Sequence, residues 1–326
     1  MVPRLPLAHL PTPLWRHDAL DELCGTAVWV KRDDATSGAA AGNKIRKLEY
    51  LLAEARERGA TTLLTCGGAQ SNHARAVAIL GAELGMRVML FLRTEHPDAP
   101  PLRTGNLFID YCVGAEVYFI TPGQYRDRDA LMESAAEEIR RRGDVPYVIP
   151  EGGSNGRGAL GYVEAMREVR AQLDLGLGGG PAPFGAIVHA CGSGGTAAGV
   201  ALGASAHGVA EQTVPVAVCD DTPTFEGVIA RIIAEARELV PKLPTPGALR
   251  IVDDFRGPAY GVASDEQIQF MVSVARRTGL VLDPVYTGKA LFGLARLTDK
   301  PPRVLYLHTG GLPGLLAATR DFETAL

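Results

Sequence analysis

Short apolar runs rich in β-branched residues return along the whole chain, each followed by a segment of helical periodicity, and this alternation limits the fold more than any other feature. The runs occupy 27–30, 62–65, 87–92, 116–120, 147–149, 186–190, 214–218 and 303–308. Most lack the apolar/polar alternation of a half-exposed strand, so they read as strands covered on both faces. An α/β protein with mainly parallel sheets flanked by helices is the expectation. Among the helical segments, Ile45, Leu48, Leu51, Leu52 and Ala55 share one face, with Asn43 placed as a cap and Gly59 as a terminator. The glycine-rich segment 173–183 reads as a domain linker or as a surface loop.

A length of 326 residues allows one large or two interlocked domains. A formal charge of -4 offers no basic excess for nucleic acid or anionic lipid, so a small-molecule partner is expected. The five cysteines form no CxxC pair, which argues against a disulfide framework and a structural zinc site; no metal is expected, and a reducing cytoplasm is. Residues 1–6 lack the apolar run of a signal peptide, and no later stretch is long and apolar enough for a membrane span.

Three places carry chemistry. Lys44 follows the expected cap Asn43 and sits at the positive end of a helix, where an ammonium is disfavoured and an amine suited to imine formation is at ease. The bland alternative is a solvated lysine in a basic first turn with Arg46 and Lys47. The turn Gly192-Ser193-Gly194-Gly195-Thr196 joins a strand to a helix and can gather N–H and hydroxyl groups around a phosphate, or can simply allow tight packing. It is neither GxxxxGK[ST] nor GxGxxG. Ser71, Asn72 and His73 lie at another strand end before a helix, where they either bind a ligand or cap the helix. No GxSxG elbow is present.

Together with further strings the chain resembles the pyridoxal-phosphate (PLP) dependent family of D-cysteine desulfhydrase and 1-aminocyclopropane-1-carboxylate (ACC) deaminase. The strings are Lys31-Arg32-Asp33-Asp34, Gly42-Asn43-Lys44-Ile45-Arg46-Lys47-Leu48-Glu49, Gln70-Ser71-Asn72-His73, Pro150-Glu151-Gly152-Gly153-Ser154-Asn155, the 192–196 turn, Pro258-Ala259-Tyr260-Gly261-Val262, Asp283-Pro284-Val285-Tyr286-Thr287-Gly288-Lys289 and His308-Thr309-Gly310-Gly311. The resemblance implies the type II PLP fold, with a larger cofactor domain (1–46 and 157–326), a smaller mobile domain (47–156) and a homodimer. It makes Lys44 the Schiff-base lysine, Asn72 the partner of the ring hydroxyl, and Gly192, Ser193, Gly194, Gly195 and Thr196 the phosphate turn. Ser71 and His73 would meet the substrate with Asn72, and Tyr260 and Tyr286 would flank it and move protons.

By the same resemblance two positions separate the activities. ACC deaminases have a glutamate after the second tyrosine and a leucine before the final Gly-Gly, where this chain has Thr287 and Thr309. A glutamate near the pyridine nitrogen deepens the electron sink needed to open a cyclopropane, whereas elimination of a thiol demands less. Both threonines are therefore expected near the cofactor of an enzyme releasing pyruvate, ammonia and sulfide from D-cysteine. The alternatives are ACC deaminase, L-cysteate sulfo-lyase and a PLP-binding protein without turnover. Ala41 and Ile45 stand where the family usually has glycine and threonine, and with Ala39 and Ala40 they are expected to reshape the substrate pocket.

Overall fold

The computed structural model describes residues 2–326; Met1, the first residue of the segment read for a leader, lies outside them. Every expected strand is present. The strands are β1 (Leu14–Arg16), β2 (Ala27–Lys31), β3 (Thr62–Gly68), β4 (Arg87–Arg93), β5 (Glu116–Ile120), β6 (Pro146–Val148), β7 (Phe184–Cys191), β8 (Ala210–Ala217), β9 (Ala248–Leu249) and β10 (Arg303–Leu307). They form a six-stranded sheet in the order β1-β2-β10-β7-β8-β9 and a four-stranded sheet in the order β5-β4-β3-β6. Among the named strands of the described residues, only the β1–β2 pairing is antiparallel. The short edge strands β1 and β9 escape sequence reading because two or three residues carry no period.

Neighbouring residues on one strand enter opposite cores, as coverage on both faces requires. Leu63 packs with Leu48, Leu51 and Val77, while Leu64 packs with Cys66, Phe91 and Ile139. In the larger sheet Val304 and Tyr306 face the core holding Leu291 and Met271, and Leu305 and Leu307 face that of Tyr162 and Met166. Each such aliphatic side chain, once buried, contributes about 1.5–3 kcal/mol.

The glycine-rich segment 173–183 is a surface loop. It connects helix Gly156–Asp174 to β7, and both flanks, Leu173 and Phe184, belong to one core. At Gly179 a Cβ would come within 2.8 Å of the Trp29 ring, so the loop closes on the sheet only because that atom is missing.

The first turn around Lys44 is not a solvated basic face, for Arg46 and Lys47 are each 1% exposed. Arg46 binds Asp33 through two hydrogen bonds of 2.8 Å and reaches Glu168 at 3.0 Å. Tyr162 donates to Asp33 at 2.7 Å, and Lys31 pairs with Glu168. Burial alone would raise the Asp33 carboxyl, but the Arg46 guanidinium holds it below its usual range. This network fastens helix Asn43–Glu57 to helix Gly156–Asp174 beside the place where Lys44 projects. The helices touch so closely that a Cβ at Gly161 would lie 2.2 Å from the Arg46 carbonyl oxygen.

Candidate active site

Loops at the C-terminal ends of β3, β7 and β10 converge with helix N-termini on one cavity, the place where parallel sheets present ligand-binding groups. Helix Asn43–Glu57 starts there, and its cap is Gly42 (φ +129) rather than Asn43. A Cβ at Gly42 would be 3.0 Å from the Thr309 carbonyl oxygen, which accepts the Asn43 N–H at 3.1 Å. Freed from capping, the Asn43 carboxamide donates to Thr196 Oγ1 at 3.0 Å and accepts from Lys44 Nζ at 3.1 Å.

Lys44 projects into the cavity with no carboxylate in ion-pair contact among the described residues. Burial lowers its amine from 10.5 to about 8 against the opposing charges of Glu151 and Asp283. Lys47, one turn further on, donates to the Gly152 carbonyl at 3.1 Å and to Ser154 Oγ at 3.3 Å. Its amine is also lowered, by burial and then by Lys44.

Gly192, Ser193, Gly194 and Thr196 line the cavity, and Gly194 (φ +78) caps helix Gly195–His207. Gly195 lies behind them, where a Cβ would fall 2.7 Å from Ser154 Oγ and 2.8 Å from Lys47 Nζ. Ser193 and Ser154 share a hydrogen bond of 2.8 Å. The capping and cavity-facing readings of Ser71 are both true: its Oγ accepts from Ala74 N at 3.1 Å at the start of helix Asn72–Glu83, and it lines the cavity with Asn72 and His73. The His73 ring bonds Thr65 Oγ1 at 2.8 Å, and burial together with Lys44 and Lys47 lowers its pKa well below 6.5, so it is neutral.

Tyr260 and Tyr286 meet across the cavity with their hydroxyls 2.8 Å apart and their rings edge to face. Asp283 frames the second tyrosine, its carboxylate accepting from Val285 N, Tyr286 N, Thr287 N and Thr287 Oγ1 at 2.6 to 3.0 Å. Thr309 lines the cavity, but Thr287 does not. The buried Thr287 hydroxyl donates to Asp283 Oδ1 and accepts from Asp283 N at 2.8 Å, at the helix start. Ile45 is likewise a core residue packed with Leu48 and Leu52, and Ala39 and Ala41 line a neighbouring hollow with Arg75. Sequence reading missed Lys47, Ser154 and the cavity-facing Glu151, which pairs with Arg128 at 3.2 Å. The i, i+3 spacing of Lys44 and Lys47 was the available signal.

A half-buried amine without a counter-ion, a glycine turn with hydroxyls at a helix N-terminus and a fully buried lysine behind that turn form a donor set suited to an aldehyde that carries a phosphate. A Cβ at Gly152 would fall 2.3 Å from Ser193 Oγ, so the turn is held open by glycine on both sides. The model of the family described as pyridoxal-phosphate dependent enzyme matches residues 5–310. The chain belongs to this family.

Within it, this PLP-dependent enzyme is 41% identical over 322 residues to a putative 1-aminocyclopropane-1-carboxylate deaminase of Thermotoga maritima, covering 97% of this chain and 99% of the relative. It is 39% identical over 325 residues to the mitochondrial bifunctional D-cysteine desulfhydrase/1-aminocyclopropane-1-carboxylate deaminase of Arabidopsis thaliana, covering 95% of this chain and 78% of the relative. A crystal structure of an ACC deaminase homologue superposes with a TM-score of 0.89 at 35% identity, covering 99% of this chain and 96% of the other. Maize serine racemase, at 17% identity and a TM-score of 0.65 over 97% of this chain and 93% of the other, shares the fold. The architecture is thus the type II fold of PLP-dependent enzymes, and the protein is a PLP-dependent lyase of the D-cysteine desulfhydrase and ACC deaminase family. Among the described residues no helix is long and apolar enough to cross a membrane.

Proposed function

We propose that the protein eliminates the β-substituent of D-cysteine, or of a close β-substituted alanine, to give pyruvate, ammonia and hydrogen sulfide. The observation that carries this reading is Thr309, a hydroxyl where a deaminase of the family would have leucine, in the wall of the cavity beside the paired tyrosines. Thr287 supports it by leaving no carboxylate at the position of the deaminase glutamate.

In this reading Lys44 would hold the cofactor, Asn72 would bond its ring hydroxyl with Thr309 nearby, and the 192–196 turn with Lys47 would hold the phosphate. Bound there, PLP supplies a sink for the electron pair left when the Cα–H bond breaks. Ser71 binds the substrate carboxylate. Lys44 would take the Cα proton, a role that suits an amine lowered to about 8. The Cβ–S bond then breaks, and the Tyr260–Tyr286 pair delivers a proton to the departing sulfur. Tyr286 is fit for this because burial, and then Tyr260, raise its pKa well above 10, so its hydroxyl keeps its proton. Hydrolysis of the released enamine completes the products. Neutral His73 offers no charge to the substrate and serves as a wall.

The partition of strands into two sheets supports a larger cofactor domain of 1–46 with 157–326 and a smaller mobile domain of 47–156. A homodimer in a reducing cytoplasm belongs to the same proposal, supported in the second respect by cysteines that are all free. The test is keto-acid release from D-cysteine, L-cysteine, L-cysteate and ACC in parallel, with sulfide measured alongside. Pyruvate and sulfide from D-cysteine are expected, and 2-oxobutanoate from ACC as the main product would overturn the reading.

A further inference from the structure

Asn106 lies outside the cavity and is wholly buried at the second residue of helix Gly105–Cys112. Four hydrogen bonds tie its surroundings to the segment that carries Asn72. Asn106 N donates to Gln70 Oε1 at 2.9 Å, and Gln70 Nε2 donates to the Thr104 carbonyl at 3.0 Å. Asn106 Nδ2 donates to the Gln70 carbonyl at 2.9 Å and to Asn72 Oδ1 at 3.0 Å.

The chemistry of these partners settles which way both amides point. A main-chain carbonyl can only accept, so the end of Asn106 that faces Gln70 O is its NH2 group. That same NH2 faces Asn72, which must turn its oxygen toward it. What remains of the Asn72 carboxamide for the cavity is a pair of N–H donors. The Asn106 oxygen has no partner among the described residues, so reversing the amide would cost two hydrogen bonds.

We propose that Asn106 is a positioning residue that locks Asn72 with its donor toward the cofactor ring, so that the ring oxygen is bound as an ionised acceptor in preference to a neutral phenol. The inference rests on the reading of Asn72 as the partner of that ring oxygen. Asn106 touches neither cofactor nor substrate and acts through the orientation of another amide.

The measurement is the absorbance of the PLP-loaded protein, in which the ionised ring gives a visible band and the neutral phenol a near-ultraviolet one. In Asn106→Asp the carboxylate accepts only, so Asn72 turns to donate to it and presents its own oxygen to the ring; the visible-to-ultraviolet ratio is expected to fall roughly tenfold. If that variant does not fold, Asn106→Ala serves, since it releases Asn72 to either orientation and lowers the same ratio by about threefold. Asn72→Ala is the control. A ratio unchanged by Asn72→Ala overturns the reading of Asn72 itself, whereas a ratio moved by Asn72→Ala but not by either Asn106 variant overturns the positioning role alone. In the Asn72→Ala background the Asn106 variants are expected to add nothing; a further shift there would mean that Asn106 acts on the ring by another route and would equally overturn the proposal.

Discussion

The hydroxyls of Tyr260 and Tyr286 lie 2.8 Å apart although the two residues come from different segments, one from the loop ahead of helix Asp265–Thr278 and the other from the start of helix Thr287–Arg296. One phenol can therefore replace the proton that the other gives up. Replacing either by Phe is expected to lower kcat about 10²–10⁴-fold while the cofactor spectrum stays unchanged. Steady-state kinetics on D-cysteine checks this, and wild-type kcat in both variants would remove the pair from the chemistry.

Lys44→Ala is expected to abolish both the visible absorbance of bound cofactor and turnover. The two readouts belong together because one amine serves both purposes. A variant that still turned over at the wild-type rate would rule out Lys44 as the attachment point.

The lowered amine also predicts a pH dependence. In the folded cofactor-free protein Lys44 titrates near about 8 and in the unfolded chain near 10.5, so the unfolded chain binds more protons between those values. Stability from this residue accordingly rises with pH through that window. Urea denaturation of cofactor-free wild type and Lys44→Met is the check: the wild type should gain on the variant as pH rises from about 7 to about 10. A constant difference would mean that the amine is not depressed.

Thr309 and Thr287 should respond differently to substitution. Thr309→Leu alters a cavity wall and is expected to shift the ratio of D-cysteine to ACC turnover toward ACC. Thr287→Val removes a hydroxyl committed to Asp283 and should cost roughly 1–3 kcal/mol of stability. Comparing kcat/KM on both substrates with urea midpoints separates the two effects, and equal changes in specificity would contradict the distinction.

Arg46→Met strands the buried Asp33 carboxylate and is expected to destabilise the protein by about 3–5 kcal/mol. Replacing Asp33 by Leu as well should recover part of that loss, because the charge is then gone. Denaturant unfolding of the single and double variants decides the point; a double variant no more stable than the single one would show that the pair is not what Arg46 serves.

The sequence alone determined the eight inner and longer strands but not the short edges β1 and β9, since a strand covered on two faces must be written as an apolar run, and it brought Lys44, Ser71, Asn72, the 192–196 turn, Tyr260 and Tyr286 forward as candidates. Those residues lie at strand ends and helix starts, or in strings that carry the family resemblance, so local order was enough to find them. Only the tertiary structure decided that β10 enters between β2 and β7, joining the two ends of the chain in one register. It alone showed that Arg46 and Lys47 are buried, that Gly42 rather than Asn43 caps the helix, that Thr287 is spent on Asp283, and that Asn106 stands behind Asn72. A charged or amide side chain has the same local signature whether water or a distant carboxylate satisfies it; the difference lies in partners brought near by packing, which no local period records.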